Sequence, residues 1–150
     1  MTKTITIRPV TGRAGWKAFL DVPFAIYHDD PNWVPPLYFE RFDHLDPKKN
    51  PYFRHAEAQL FLAEQNGRAI GRISAQFDRL RNDIHKDNAG QFGFLEAPDD
   101  PAVFAALFEA ASQWLRARGA VKVVGPFSFS INDETGCLVD GFDTPPSMMM

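Results

Sequence analysis

Residues 59–77, QLFLAEQNGRAIGRISAQF, decide the fold. Asn66-Gly67 at their centre is the pair that a two-residue type I′ turn requires, because both central residues take φ > 0. Folding the flanks about that turn sets Leu62 opposite Gly71, Leu60 opposite Ile73, Phe61 opposite Arg72 and Gln59 opposite Ser74. The second strand then alternates. Ala69, Gly71, Ile73, Ala75 and Phe77 fall on one face, and Arg72, Ser74 and Gln76 on the other.

Upstream of the hairpin, residues 4–10 read as a strand with Ile5 and Ile7 on one face and Thr4, Thr6 and Arg8 on the other. Thr11 can cap a helix from Gly12 whose stripe is Trp16, Phe19 and Leu20. Pro23 is expected to interrupt that helix, leaving a second short turn over 24–28. The prolines of DDPNWVPPL, 29–37, predict an extended loop, followed by a short helix over 38–45 and a break at Lys48-Lys49-Asn50-Pro51.

Downstream, 78–90 is polar and reads as a loop or short helix, and 91–96 alternates as a strand. Asp100-Pro101 pairs an N-cap with proline at the first helical position. Phe104, Leu107, Phe108, Ala111, Trp114 and Leu115 then recur at helical spacing up to Gly119. Residues 121–129 read as a buried strand, bent or ended near Gly125-Pro126. The order β-α-(α)-β-β-β-α-β is that of a single α/β (α+β) domain over 1–150.

At 150 residues, 45% hydrophobic and 23% charged, the chain has the composition of a globular protein with one core. A net charge of −3 with interspersed signs offers no basic field for nucleic acid. Cys137 is alone, which fits a reducing compartment, and no apolar run approaches a membrane span. Together these predict a cytoplasmic protein with no nucleic-acid or membrane partner. The end at 144–150, TPPSMMM, is unusually apolar: either it docks, or the chain is the N-terminal part of a longer one with a following C-terminal domain.

Metal sites lack support: His28, His44, His55 and His85 show no i, i+4 pairing, and a single cysteine cannot build a thiolate site. No G-x-S-x-G elbow or Walker sequence occurs. The glycines of Gly90-Gln91-Phe92-Gly93 precede a strand and point to a turn and close packing. Arg72, projecting from mid-strand on the face of Phe61, either grips an anionic ligand or lies solvated or against a helix beside Ser74 and Gln76. Trp33 either lines a pocket for substrate or anchors its loop. The densest polar cluster follows the strand at 121–129. There Ser128, Ser130, Asn132, Asp133 and Glu134 sit where open α/β sheets place ligands, though the same residues also suit a plain turn.

The element order and the hairpin ending Ala69-Ile70-Gly71-Arg72-Ile73 resemble the GNAT superfamily of N-acetyltransferases. Further phrases resemble a bacterial family of longer GNAT-like proteins. They are Asp30-Pro31-Asn32-Trp33-Val34-Pro35-Pro36, Asn50-Pro51-Tyr52-Phe53, Gly90-Gln91-Phe92-Gly93-Phe94, and Gly125-Pro126 through Gly141-Phe142. The resemblance implies a mixed, mostly antiparallel sheet flanked by helices, with acyl-CoA bound where the fourth strand splays from the fifth. An amine, small-molecule or peptide, would attack the thioester of acetyl-CoA or another acyl-CoA. If that chemistry occurs here, location alone assigns the roles: Glu134 or Asp133 as base through a water, Ser128 or Ser130 assisting the leaving thiolate, and Asn132 positioning substrate with Arg72 and Trp33.

One departure is sharp. The superfamily holds the pyrophosphate on a Gln/Arg-x-x-Gly-x-Gly/Ala turn that opens the helix after the fourth strand. Here that turn reads Glu96-Ala97-Pro98-Asp99-Asp100-Pro101-Ala102-Val103, with no glycine, two prolines and three carboxylates crowding one helix end. No cofactor-binding residue is therefore assigned within these 150 residues. The expectation is an N-acyltransferase-like protein whose full-length form acylates an amine. The alternative is a non-catalytic interaction or ligand-sensing domain on the same fold.

Overall fold

The computed structural model describes residues 4–145, so the apolar end at 146–150 lies outside the described residues. Asn66 and Gly67 take φ of +52° and +75°, as the type I′ turn demands. The turn joins strands β2 (Ala56–Gln65) and β3 (Arg68–Asp78). Gln65 pairs with Arg68 and Glu64 with Ala69, but a bulge then shifts the ladder by one residue. Beyond it Ala63 faces Gly71, Leu62 faces Arg72, Phe61 faces Ile73 and Leu60 faces Ser74. The register expected from the turn alone is corrected by one place, because turn chemistry sets pairing only as far as the first bulge. The shift moves Phe61 from the face of Arg72 to that of Ile73, and it parts Ala69 from Gly71 and Ile73.

Three further strands complete the sheet: β1 (Thr6–Pro9), β4 (Ala89–Glu96) and β5 (Lys122–Val124), in the order β1-β2-β3-β4-β5. The first three pairings are antiparallel and β4–β5 is parallel, which gives the expected mixed sheet. Helix α4 (Pro101–Arg116) starts where predicted, with the Asp100 carboxylate accepting the Ala102 N–H at 2.9 Å. Its Val103, Leu107, Ala111 and Leu115 pack on Phe61, Ala63, Ile73 and Ala75. The opposite face is covered by α1 (Gly12–Ile26), α2 (Tyr38–Leu45) and the 3-10 turn Pro51–Arg54, while α3 (Arg79–His85) links β3 to β4.

Pro23 does not interrupt α1, contrary to the sequence expectation. A proline at that position withholds the N–H that the Phe19 carbonyl would normally accept. Arg72 Nη1 donates to that carbonyl instead, at 3.1 Å. A strand residue thus repairs the helix, and the helix stays continuous.

The stretch 121–129 is also corrected. Lys122 and Val123 are exposed, and the strand ends at Val124. The chain then forms β6 (Phe127–Ser128), which pairs with β7 (Glu134–Thr135) in a separate two-stranded sheet. Three bonds fix the crossing. Gln76 Nε2 donates to the carbonyls of Phe127 at 2.6 Å and Phe129 at 3.1 Å, and Ser128 Oγ accepts the Phe94 N–H at 3.1 Å. A Cβ at Gly93 would lie 1.8 Å from the Phe127 carbonyl oxygen, so glycine here provides the close approach inferred from the sequence.

Candidate functional site

A second bulge, in β4, makes the site. Ser74 pairs with Gly93 but Arg72 pairs with Glu96, one residue further than regular pairing allows. Phe94 takes a left-handed φ of +47° there. The extra residue turns Glu96 toward Arg72, whose Nε donates to Glu96 Oε2 at 2.5 Å. The Arg72 guanidinium also lies over the rings of Phe19 and Phe94, at 4.9 and 5.4 Å. Arg72 is 7% exposed. Burial lowers its basicity and pushes the Glu96 carboxyl above its ordinary range, against the pull of Arg72.

This pair forms the floor of a cavity of about 110 Å³, lined by Pro23, Trp33, Val34, Pro36, Arg41, Arg72, Glu96 and Glu134. Three residues singled out in the sequence, Trp33, Arg72 and Glu134, meet in it. Glu134 arrives from β7 and forms an ion pair with Arg41 of α2. Trp33 both lines the cavity and anchors its loop, packing on Phe24 at 5.1 Å and Tyr27 at 5.5 Å. Arg72 does not present a free grip, since Glu96 and the Phe19 carbonyl already hold it.

The other candidates lie outside the cavity. Ser128 is buried beneath Phe94. Ser130 donates from Oγ to Asp133 Oδ2 at 2.7 Å, and its backbone N–H reaches the same oxygen at 3.1 Å. The Asn132 N–H donates to Ser130 Oγ at 3.2 Å. Ser130, Asn132 and Asp133 therefore build the turn that carries Glu134.

Sequence reasoning did not assign Arg41, Glu96 or His44. The sequence groups Glu96 with the carboxylates at the start of α4, but the β4 bulge turns it onto Arg72 instead. Arg41 carried no signal beyond lying in a short helix. His44 packs against Phe94 and Phe129, at 5.6 and 5.1 Å between rings. Its Nε2 is buried without a hydrogen-bond partner, 3.6 Å from Asp133 Oδ1. Burial lowers its pKa, and Asp133 opposes that shift.

The start of α4 does not fit a CoA pyrophosphate. Pro101 has no N–H, Ala102 donates to the Asp100 carboxylate, and Val103 donates to the Asp100 carbonyl at 3.0 Å. Asp99 and Asp100 add negative charge at the same place. Among the described residues no group of three or more His, Cys, Asp or Glu is placed to hold a metal ion, and no helix is long and apolar enough to cross a membrane.

No family model matches the chain. It is 52% identical over 147 residues to a bacterial ceramide synthase of Caulobacter vibrioides and 48% identical over 144 residues to protein YghO of Escherichia coli. The chain spans 38% and 37% of the length of these two relatives. Among solved structures, a tandem GNAT protein from the clavulanic acid biosynthesis pathway aligns at TM-score 0.58 and 14% identity, covering 77% of this chain and 34% of its own. Glucosamine-6-phosphate N-acetyltransferase from Arabidopsis thaliana aligns at TM-score 0.55 and 16% identity, covering 87% and 85%. The fold is that of the GNAT acetyltransferases.

Proposed function

We propose that the full-length protein transfers an acyl group to an amine, and that this region holds the acceptor. The observation that carries the reading is the meeting of Trp33, Arg41, Arg72, Glu96 and Glu134 around one cavity. An amine reaches the protein mainly as an ammonium ion and must lose a proton to attack a carbonyl. Glu134 is half-exposed, paired with Arg41 at the cavity, and can take that proton directly or through a water. Glu96, fixed by Arg72, supplies a second oxygen-lined wall for the cation. Asp133, Ser130 and Asn132 support this by setting the turn beneath Glu134, and Ser128 by fixing the crossing at Phe94.

The relative named as a ceramide synthase makes a long-chain amino alcohol the first acceptor to try, since a ceramide is the amide of such an amine. The residues at the start of α4 leave the acyl-CoA to be bound by parts of the protein beyond these 150 residues. The test is amide formation by the full-length protein from an acyl-CoA and a long-chain amine. Glu134→Gln is expected to lower kcat/KM for the amine by about 10²–10⁴. Unchanged turnover would remove Glu134 from the reaction.

A second reading is favoured by the closed-off start of α4: a non-catalytic domain that binds the amine and transfers nothing. Under it, calorimetry would find amine binding to the full-length protein but no binding of any acyl-CoA.

A further inference from the structure

The charged side chains that line the cavity balance. They are two arginines and two glutamates, and they fall into two ion pairs, Arg72–Glu96 and Arg41–Glu134. The rest of the lining, Pro23, Trp33, Val34 and Pro36, carries no charge. An ammonium ion that approaches this cavity therefore meets no carboxylate without a cation already on it.

The two pairs are held in different ways. The Arg72 guanidinium is buried, donates to Glu96 and to the Phe19 carbonyl, and lies over two rings. Parting it from Glu96 would leave two charges buried alone. Among the described residues the Arg41 guanidinium has Glu134 as its one hydrogen-bond partner, and Glu134 has Arg41 as its own. The Glu134 side chain is 54% exposed, so this pair comes apart at the cost of a single solvent-facing ion pair. Arginine keeps its proton, so the contact is one cation held against one carboxylate. A bound ammonium would make the same contact.

We infer that Arg41 is a built-in competitor for the amine: its guanidinium takes the place on Glu134 that the ligand's ammonium needs, and the amine binds by exchanging with it. This rests on the reading of the cavity as the amine site. It makes Arg41 a specificity-determining residue. Because Arg41 is tethered beside Glu134 it competes at a high local concentration, so a small free cation is rejected and only an amine with further contacts displaces it. Glu134 is then uncovered as a base only when such an amine is present.

The test is calorimetric binding of dodecylamine, below its micelle concentration, to the full-length protein and four variants: Arg41→Met, Arg41→Lys, Glu134→Gln and Arg41→Met/Glu134→Gln. Arg41→Met is expected to tighten binding by about two- to fivefold, the worth of one exposed ion pair. Arg41→Lys should stay near wild type, and Glu134→Gln should bind more weakly. Set against Glu134→Gln, the double variant should show no gain, because no carboxylate is left to compete for. A gain that persists without Glu134 would mean plain charge repulsion, and unchanged or weaker binding in Arg41→Met would mean that Arg41 does not compete. Either result overturns the inference and, where Glu134→Gln still weakens binding, leaves the amine site standing. Binding indifferent to Glu134→Gln, or absent from both wild type and Arg41→Met, would overturn the inference and the amine site together.

Discussion

The two faces of strand β3 are buried in different ways. Toward α4, Ile73 and Ala75 pack among Phe61, Ala63, Val103, Leu107 and Leu115. Toward α1, the same strand buries Arg72, Ser74 and Gln76, and each needs a partner. Arg72 takes Glu96 and the Phe19 carbonyl, Ser74 donates to Gln76 Oε1 at 2.9 Å, and Gln76 takes the carbonyls of the crossing chain. One face is held by area, the other by specific bonds that also shape the cavity. The apolar face should therefore tolerate repacking with little effect on the site, while the polar face should not.

Breaking the polar face is expected to cost most. Arg72→Met strands Glu96 and the Phe19 carbonyl in the interior and should destabilise by about 3–5 kcal/mol in urea unfolding. Arg72→Met/Glu96→Leu should recover much of that loss, because no charge is left buried alone. A double variant as unstable as the single would show that the pair is not the source of the cost. On the apolar face, Leu107→Ala should cost about 2–5 kcal/mol by leaving a cavity under α4. It should leave the KM for the amine unaltered, and a raised KM would show that the faces are not separable.

The smallest effect concerns pH. The His44 pKa is lowered in the fold from its ordinary 6.5 by burial between Phe94 and Phe129. Below 6.5 the unfolded chain takes up a proton that the folded site resists, so stability is full above that pH and declines as pH falls through it. The decline is at most about 1.4 kcal/mol per pH unit. His44→Phe should flatten the difference between urea midpoints at pH 7 and pH 5.5, and an unchanged difference would assign the slope to other groups.

Local chemistry made much of this legible in the sequence. Asn66-Gly67, Asp100-Pro101 and the stripe from Phe104 to Leu115 each fix an element through nearest neighbours, and all three are where they were expected. What could not be read depends on contacts distant in the chain. The bulge after Ala63 shifts Phe61 to the other face, the β4 bulge turns Glu96 onto Arg72, and Arg72 rescues a helix that Pro23 alone would break. Trp33, Arg72 and Glu134 were visible as residue types suited to a site. Arg41 was not, because nothing near it in sequence marks it; its place depends on α2 packing beside β7.

The central claim is a division of labour: the acceptor lies at the Trp33–Glu134 cavity, and the acyl-CoA is not held at the start of α4. Amide hydrogen exchange of the full-length protein, measured with a long-chain amine and separately with an acyl-CoA, tests both halves together. The account predicts slower exchange at 33–41 and 130–135 with the amine, and none at 97–104 with the acyl-CoA. Protection of 97–104 by the acyl-CoA, with 33–41 unaffected by the amine, would contradict it.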